Sequence, residues 1–187
     1  MADVLDKLMS LEIVQKRAPI NDPTNKRKSG YFVVDPLSLF YYRYVFRNAS
    51  ARQLLDPEVF YDRHVFQDFE ENYVPHMFEE ICRQYLVRQN RTGKIEPAFD
   101  AIGKYWYDDP ANKTSGEFDV VTQDPEATHS TKQSSANPHH AKMVDEEIAQ
   151  VEATGLKCHR YGFFSRSDFE AGESDRTVFI DLPQMFG

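Results

Sequence analysis

Residues 116–121 read G-E-F-D-V-V and place one acidic residue, Asp119, inside a run of strand-forming residues. Burying a carboxylate costs free energy unless the group is paired or binds a ligand. Strict alternation along such a strand predicts that Asp119 and Val121 face one side of a sheet, with Phe118 and Val120 on the other. A bound metal ion is one use for a carboxylate in this position.

The segments on either side of this strand follow an α/β order. A strand ending in aromatic residues precedes it, as F-D-A-I-G-K-Y-W-Y, and a polar turn joins the two. Residues 72–88 predict an amphipathic helix before this hairpin, and residues 142–156 predict another after it, ended by Gly155. Two more strand patterns, C-H-R-Y-G-F-F-S and T-V-F-I-D-L, follow. The order predicts a mixed sheet with helices on its faces.

The first 34 residues predict a helix at 2–11, a strand at 11–20, a basic loop and a second strand at 31–34. This is the back half of a winged helix, with the basic loop as the wing, and the chain is expected to start inside that domain. An ordinary hairpin with a solvated basic loop remains an equal alternative.

A helix is predicted to begin after Asp35, since an Asp-Pro pair favours a helix start. The helical spacing of the next apolar residues predicts one packing stripe made of Leu37, Phe40, Tyr41 and Tyr44. We therefore expect these side chains to form core or interface rather than a platform on which bases stack.

Charge is unevenly distributed along the 187 residues. Residues 1–48 carry a net charge of +3 and the remainder −11, which gives the total of −8. Any nucleic-acid contact is therefore expected from the basic head. The candidate nucleic-acid-binding residues are Lys16, Arg17, Lys26, Arg27 and Lys28.

Residues 123–141 lack large apolar side chains, so a disordered loop is expected there. His129, His139 and His140 lie in or beside this stretch, but adjacent histidines point apart, so we reject a metal site. Cys82 and Cys158 lack metal-ligand spacing and are expected to be reduced core thiols.

No apolar run is long enough to cross a bilayer, and the first residues, M-A-D-V-L-D-K-L, lack the pattern of a signal peptide. We expect a cytoplasmic protein with no membrane partner.

Several separated motifs resemble one known family. The runs Y-F-V-V-D-P-L-S-L-F-Y-Y-R-Y-V-F, F-E-E-I-C-R-Q-Y-L, I-G-K-Y-W-Y, G-E-F-D-V-V and Y-G-F-F-S-R-S occur in this order. Together they resemble the C-terminal region of archaeal-type P-loop ATPases, a domain of unknown function related to the PD-(D/E)xK nucleases. In such proteins an ATPase domain and a winged helix precede this region. The present sequence has no phosphate-binding G-x-x-x-x-G-K-[ST] loop, so the chain itself is expected to bind no ATP.

The resemblance implies an α/β fold, a PD-(D/E)xK-like mixed sheet flanked by helices, with a truncated winged-helix segment at the N-terminus. Residues 1–48 would form the partial winged helix and connecting helix, and residues 49–187 the nuclease-like domain. We expect a C-terminal fragment or a separately encoded piece of such an ATPase.

Nucleases of this superfamily combine a helix Glu, a strand Asp and a Glu-x-Lys, in which the carboxylates hold Mg²⁺ and the Lys positions the attacking water. By this resemblance Glu79 is the helix acid and Asp119 the strand acid, and both are the candidate metal ligands. Lys132 matches the lysine, but Ser130 stands where the second motif acid belongs. Losing one charge opposite a divalent ion removes several kcal/mol of attraction at an effective dielectric constant of about 20.

We therefore expect a degenerate, catalytically inactive site. Either the site has decayed, or residues 123–141 are out of register with the ancestral reading frame. The expected role is binding of DNA or of a partner, such as an ATPase subunit or domain, and no cofactor is implied. One alternative is an active Mg²⁺-dependent DNA endonuclease that recruits Asp124 or Glu126. Another is a structural or interaction remnant without nucleic-acid binding, in which Asp119 pairs with Lys104 or Lys132.

Overall fold

The computed structural model describes residues 2–109, 113–123, 130–134, 141–156, 158–165 and 174–186. It divides into two compact units, one made of Met1–Ala18 and Thr24–Met77, the other of Pro19–Pro23 and Phe78–Gly187. The sequence analysis expected a boundary after residue 48, whereas the later boundary between these two units falls after residue 77. The reason is that residues 49–77 pack around Tyr44, which belongs to the first unit.

The first unit begins with helix α1, Ala2–Ser10, and an antiparallel hairpin of β1, Val14–Arg17, and β2, Gly30–Val33. The predicted helix and both strands are confirmed. The loop between the strands is held by Asn25, whose Oδ1 accepts hydrogen bonds from the backbone N–H of Arg27 at 2.9 Å and of Lys28 at 3.2 Å. Side chains 26–28 are exposed on this ordered turn.

Short helices complete the first unit. The side chain of Asp35 caps the first of them by accepting from Ser38 N at 2.6 Å, as an Asp-Pro start predicts. The helices are α2 Pro36–Phe40, continued by a π-helical turn Tyr41–Phe46, α3 Ala49–Leu54, α4 Pro57–His64, and α5 Phe66–Asp68, continued by a second π-helical turn Phe69–Tyr73.

The predicted stripe of α2 is only partly correct. Phe40 and Tyr44 pack in the aromatic core of the unit, and Tyr44 is only 1% exposed. Leu37 and Tyr41 are instead 76% and 45% exposed, so they do not belong to this core, and their expected place in an interface stays a prediction. The π-helical turn changes the number of residues per turn after Phe40, and the periodicity of an α-helix no longer applies there.

The second unit contains a five-stranded mixed sheet in the order β3-β4-β5-β6-β7. The first three strands are antiparallel and the last three are parallel, which confirms the predicted mixed α/β class. The strands are β3 Ala101–Asp109, β4 Thr114–Gln123, β5 Ser130–Ser134, β6 Tyr161–Ser165 and β7 Thr177–Asp181. The helices are α6 Val74–Arg91, which contains the boundary between the units, α7 Ala141–Ala153 and α8 Leu182–Phe186.

Apolar clusters cover the two faces of the sheet. Phe78, Cys82 and Leu86 of α6 pack with Val120 and Phe164 in one cluster. The other cluster contains Val151 of α7 and the buried strand residues Phe118, Val121, Phe163 and Phe179. Cys82 and Cys158 are buried thiols, as expected.

Strand β5 lies within the predicted loop at 123–141, so the loop prediction is wrong for its five residues, for Gln123, which ends β4, and for Ala141, which begins α7. The strand pairs with β4 on one side and β6 on the other. Because its backbone is paired on both sides, this segment forms a strand although its polar sequence gives no strand signal. Residues 124–129 and 135–140, including Asp124, Glu126 and the three histidines, lie outside the described residues.

A β-bulge interrupts β4 at Asp119. Gly103 pairs with Val121 and Tyr105 pairs with Phe118, so Lys104 alone lies opposite both Asp119 and Val120. Phe118 and Val121 consequently pack in the same cluster, on the face of α7, while Val120 packs toward α6. The simple alternation predicted for this strand is therefore wrong.

The segment Pro19–Pro23 runs beside the outer edge of β3. Ile20 N donates to Lys104 O at 2.8 Å. The side-chain amide of Asn21 accepts from Trp106 N at 3.1 Å and donates to Trp106 O at 2.7 Å. Ile20 also contacts the backbone at Gly103, where an added Cβ would lie 2.7 Å from Ile20 Cγ2.

Candidate functional site

Glu79 of α6 and Asp119 of β4 lie within electrostatic range of each other. Burial raises the pKa of Asp119 first, and the negative charge of Glu79 raises it further. The helix acid and strand acid implied by the family resemblance are thus brought to one place, and α6 packs on the sheet face there. Sequence spacing alone could not show this proximity.

Lys104 of β3 bridges two acids of β4, Glu117 and Asp119. Its Nζ lies 2.6 Å from Glu117 Oε1 and 3.2 Å from Asp119 Oδ1. The bulge places Asp119 opposite Lys104, whereas Glu117 is paired with Trp106, two residues further along β3. The pairing of Lys104 with Asp119, one of the sequence-based alternatives, is present in the structure.

Both pKa values in this ion pair are raised, which favours the charged form of Lys104 but disfavours the charged form of Asp119. Burial alone would lower the pKa of Lys104, but its hydrogen bond to Glu117 and the charges of Asp119 and Glu117 outweigh burial and raise it. The pKa of Asp119 is also raised, because the attraction of Lys104 does not offset burial and the charge of Glu79. Glu117 is thus the stronger partner of the ammonium, and the pKa of Asp119 stays raised despite its contact with Lys104.

The described residues around Asp119 do not fit a catalytic magnesium ion. An ammonium already bridges Asp119 and Glu117 where the ion would need carboxylate oxygens. Across the described part of the chain, no group of three or more His, Cys, Asp or Glu side chains could hold a metal. Glu79 and Asp119 remain candidate ligands only, and their predicted metal binding stays a prediction.

Lys132, the third residue carried over from the nuclease motif, lies on β5. Its Cα is paired with that of Val121 of β4, two residues beyond Asp119, and with Tyr161 of β6. Ser130, at the position of the missing acid, is paired with Gln123. The backbone thus places this stretch on the strand next to β4, and the catalytic role of Lys132 stays a prediction.

The basic hairpin, defined here as β1, β2 and their loop, carries all five candidate nucleic-acid-binding residues. Lys16 is exposed and lies over the ring of Tyr31 on β2, 6.0 Å from its centroid. Tyr31 and Phe32 are large aromatic residues that stay exposed on this hairpin. The sequence analysis identified the cations but missed these aromatics, since a four-residue strand pattern does not show which side is covered.

None of the described helices is both long and apolar enough to span a bilayer.

Comparison with known proteins places the chain beside archaeal and bacterial sequences without an assigned role. Residues 41–132 match the DUF234 family, described as archaeal and bacterial proteins of unknown function. The matched region contains Glu79, Lys104, Asp119 and Lys132, whereas the basic hairpin precedes it.

An uncharacterized protein of Methanocaldococcus jannaschii is 27% identical over 103 residues, which are 55% of this chain and 23% of that protein. The aligned part of the chain therefore spans less than a quarter of the length of this relative. No solved structure matches the chain.

Proposed function

We propose that this chain is a nuclease-like domain that does not cleave, and that it binds nucleic acid through the basic hairpin while acting beside an ATPase domain or subunit. The observation that carries the proposal is the clustering of Lys16, Arg17 and the exposed residues 26–28 on one hairpin.

The hairpin loop supports this role through its order as well as its charge. Asn25 fixes the turn with its side chain, and Ser29 Oγ donates back to Asn25 O at 2.8 Å. Three consecutive cations on a fixed turn lose less conformational freedom on binding than cations on a loose loop would. Neutralising about five phosphates would make the logarithm of affinity fall with log salt concentration with a slope of about −4.

The exposed aromatics add a second contribution. Tyr31 and Phe32 occupy adjacent positions of β2, so they lie on opposite sides of the hairpin, and Tyr31 is the ring that lies beside a cation, Lys16. Cations interleaved with exposed aromatic rings are typical of surfaces that follow a phosphate backbone and stack on bases. Such a surface favours single-stranded or frayed nucleic acid over intact duplex.

Absence of cleavage is proposed from the arrangement around Asp119. Lys104 neutralises part of the negative charge that would attract a divalent ion, and Ser130 provides no carboxylate on β5. Without a divalent ion, the carboxylates would repel a phosphodiester instead of activating water to attack it. The ATPase association rests on the family resemblance and on the greater length of the archaeal relative.

The binding proposal is tested with fluorescein-labelled single-stranded and duplex oligonucleotides, followed by anisotropy at several salt concentrations. The variant Lys26→Ala/Arg27→Ala/Lys28→Ala should weaken binding and lower the magnitude of the salt slope by about 3. The control variant Arg47→Ala/Arg52→Ala/Arg63→Ala removes three exposed cations from the same unit and should leave the slope nearly unchanged. Equal losses in the two variants would mean that only net charge matters and would refute the assignment to the hairpin.

The absence of cleavage is tested with supercoiled and linear DNA in Mg²⁺ and in Mn²⁺. No nicked or shortened product is expected, and calorimetry with Mn²⁺ should give no heat that depends on Glu79. Cleavage that is abolished by Asp119→Ala would refute this part of the proposal and support the endonuclease alternative.

One observation favours a second candidate, an interaction module without nucleic-acid binding. The ion pair of Lys104 with Asp119 and Glu117 gives these acids a structural role that needs no phosphate nearby. Absence of any salt-dependent binding in the anisotropy experiment would favour this candidate over the first.

The ATPase part of the proposal makes a genomic prediction. An open reading frame directly upstream, encoding a G-x-x-x-x-G-K-[ST] loop, is expected. A chain with no ATPase reading frame beside it and no ATPase that co-purifies with it would contradict this association.

A further inference from the structure

The second unit contains a cavity of about 370 Å³ on the face of the sheet covered by α6. This volume lies within the range of about 300–1,000 Å³ found for small-molecule sites. The last turns of α6 and residues 94–99 form one wall, and β4, β6 and β7 form the other. Neither Glu79 nor Asp119 lines the cavity, so it is separate from the acidic group described above.

The interior of the cavity is mostly apolar. Leu86 and Phe99 are buried core residues, and Ile95, Val178 and Ile180 complete the apolar surface. Tyr85 adds an aromatic ring that packs edge-on against Phe164, with 5.8 Å between the ring centroids. A cavity with these walls favours a flat or aliphatic body over a hydrated ion.

The polar lining is unevenly charged. Lys94 and Arg160 are exposed residues that line the cavity, and neither side chain has a carboxylate partner among the described residues. Glu96 is the one carboxylate among the described residues of the lining. Two cations beside an apolar cavity leave an excess of positive charge that an anionic group on a ligand could neutralise.

We propose that this cavity binds a small organic anion, with an apolar or aromatic body against Leu86, Phe99 and Ile180 and a carboxylate or phosphate group toward Lys94 and Arg160. Burial of the apolar body contributes to the affinity, and the two cations favour a negatively charged ligand over a positively charged one. Thr122 and Gln89, which also line the cavity, offer hydrogen bonds that would orient polar atoms of the body.

Three naphthalene compounds with different charged groups test the proposal: 1-naphthoate, 1-naphthyl phosphate and 1-naphthylmethylammonium. Binding to the full chain is followed by ¹⁵N NMR, with the amides of Thr122, Gly162 and Val178 as reporters. Both anions should cause saturable shifts at these amides, and the cation should not. The two anions distinguish a carboxylate site from a phosphate site, because the better fit binds more tightly.

The variant Lys94→Gln/Arg160→Gln should weaken anion binding about tenfold, as expected for the loss of two partly solvated ionic contacts. The control Arg52→Gln/Arg63→Gln has the same charge change in the first unit and should leave anion binding unchanged. Ile95→Trp, which places a larger side chain in the wall, should abolish binding while the spectrum stays dispersed.

Equal binding of the cation and the anions would overturn the proposal. So would the absence of saturable shifts for both anions at millimolar concentration, or an equal loss of affinity in the two double variants. If Ile95→Trp unfolds, the comparison between the two double variants still decides, because both alter exposed side chains.

Discussion

Lys104 Nζ lies 3.2 Å from Asp119 Oδ1. Asp119 takes this position from a bulge, which places both Asp119 and Val120 of β4 opposite Lys104 of β3. The ammonium is closer to Glu117, at 2.6 Å, so Asp119 receives the weaker share of its charge. The acid that most resembles a catalytic residue is therefore held by a cation of the protein itself.

Replacing Lys104 by Gln should raise the pKa of Asp119 further. Burial and the charge of Glu79 already raise this pKa, and Lys104 is the group that lowers it. The titration of the Asp119 carboxyl carbon by ¹³C NMR measures the shift directly. The control Lys113→Gln removes a cation from the turn of the same hairpin and should leave the titration unchanged, and an equal shift in both variants would contradict a specific role for Lys104.

Asp119→Asn should raise the melting temperature at pH 7. Because the pKa of Asp119 is raised on folding, the native state holds its proton more tightly, and the stability due to this group is lost as pH rises through the folded pKa. The neutral amide avoids that loss. Thermal unfolding of both proteins from pH 3 to pH 7 should show a difference that grows with pH, and a variant less stable than the wild type at pH 7 would show that the ion pair is net stabilising.

Asp68→Asn should destabilise the first unit at neutral pH by about 1 kcal/mol, a value reduced for the partial exposure of the pair. Asp68 accepts from Arg43 Nε at 2.6 Å, from Arg43 Nη2 at 2.7 Å and from the hydroxyl of Tyr44 at 2.8 Å. The hydrogen bonds from Arg43 and then from Tyr44 lower the pKa of Asp68 to about 2.

The stabilisation that Asp68 provides should depend on pH, and the direction follows from its lowered pKa. Because the folded pKa of Asp68 is depressed, its stabilisation is present above the unfolded pKa of about 4 and is lost as pH falls toward about 2. Urea unfolding at pH 7 and at pH 2.5 should therefore show a smaller difference between wild type and variant at the lower pH. Asp62→Asn, at an exposed position of α4, is the control and should change little at either pH.

Gly103→Ala should destabilise the second unit by about 1–3 kcal/mol, because its Cβ would lie 2.7 Å from Ile20 Cγ2. The double variant Gly103→Ala/Ile20→Ala removes the clash, so the two substitutions should cost less together than the sum of their separate effects. Urea unfolding of the four proteins in this cycle measures the coupling. Additive costs would show that Ile20 does not press on Gly103.

The sequence predicted the elements whose signals are local. The Asp35 cap, the helix ended by Gly155 and the hairpin that carries Asp119 follow from side-chain chemistry within a few residues, and all are present. The mixed sheet followed from the order of these elements. The pairing of Asp119 with Lys104 was available only as one of two choices, because a strand pattern does not give the register.

The remaining features depend on distant parts of the chain. Strand β5 has no apolar pattern of its own and exists because β4 and β6 offer backbone partners on either side. The bulge at Asp119 inverts the faces expected from alternation, and the π-helical turn after Phe40 exposes Tyr41. The cavity beside α6 is likewise built from residues of α6, the loop after it, β4, β6, β7 and α8, and leaves no motif in the sequence.

The segment Pro19–Pro23 has a consequence for the behaviour of the protein at high concentration. By bonding to the backbone of Lys104 and Trp106, it occupies groups on the outer edge of β3 that could otherwise pair with a strand of another molecule. Pro19 and Pro23, at the two ends of the segment, also leave it with two fewer backbone donors. The β3 edge of the sheet is thereby protected against intermolecular aggregation, and loss of the segment Pro19–Pro23 would expose this edge.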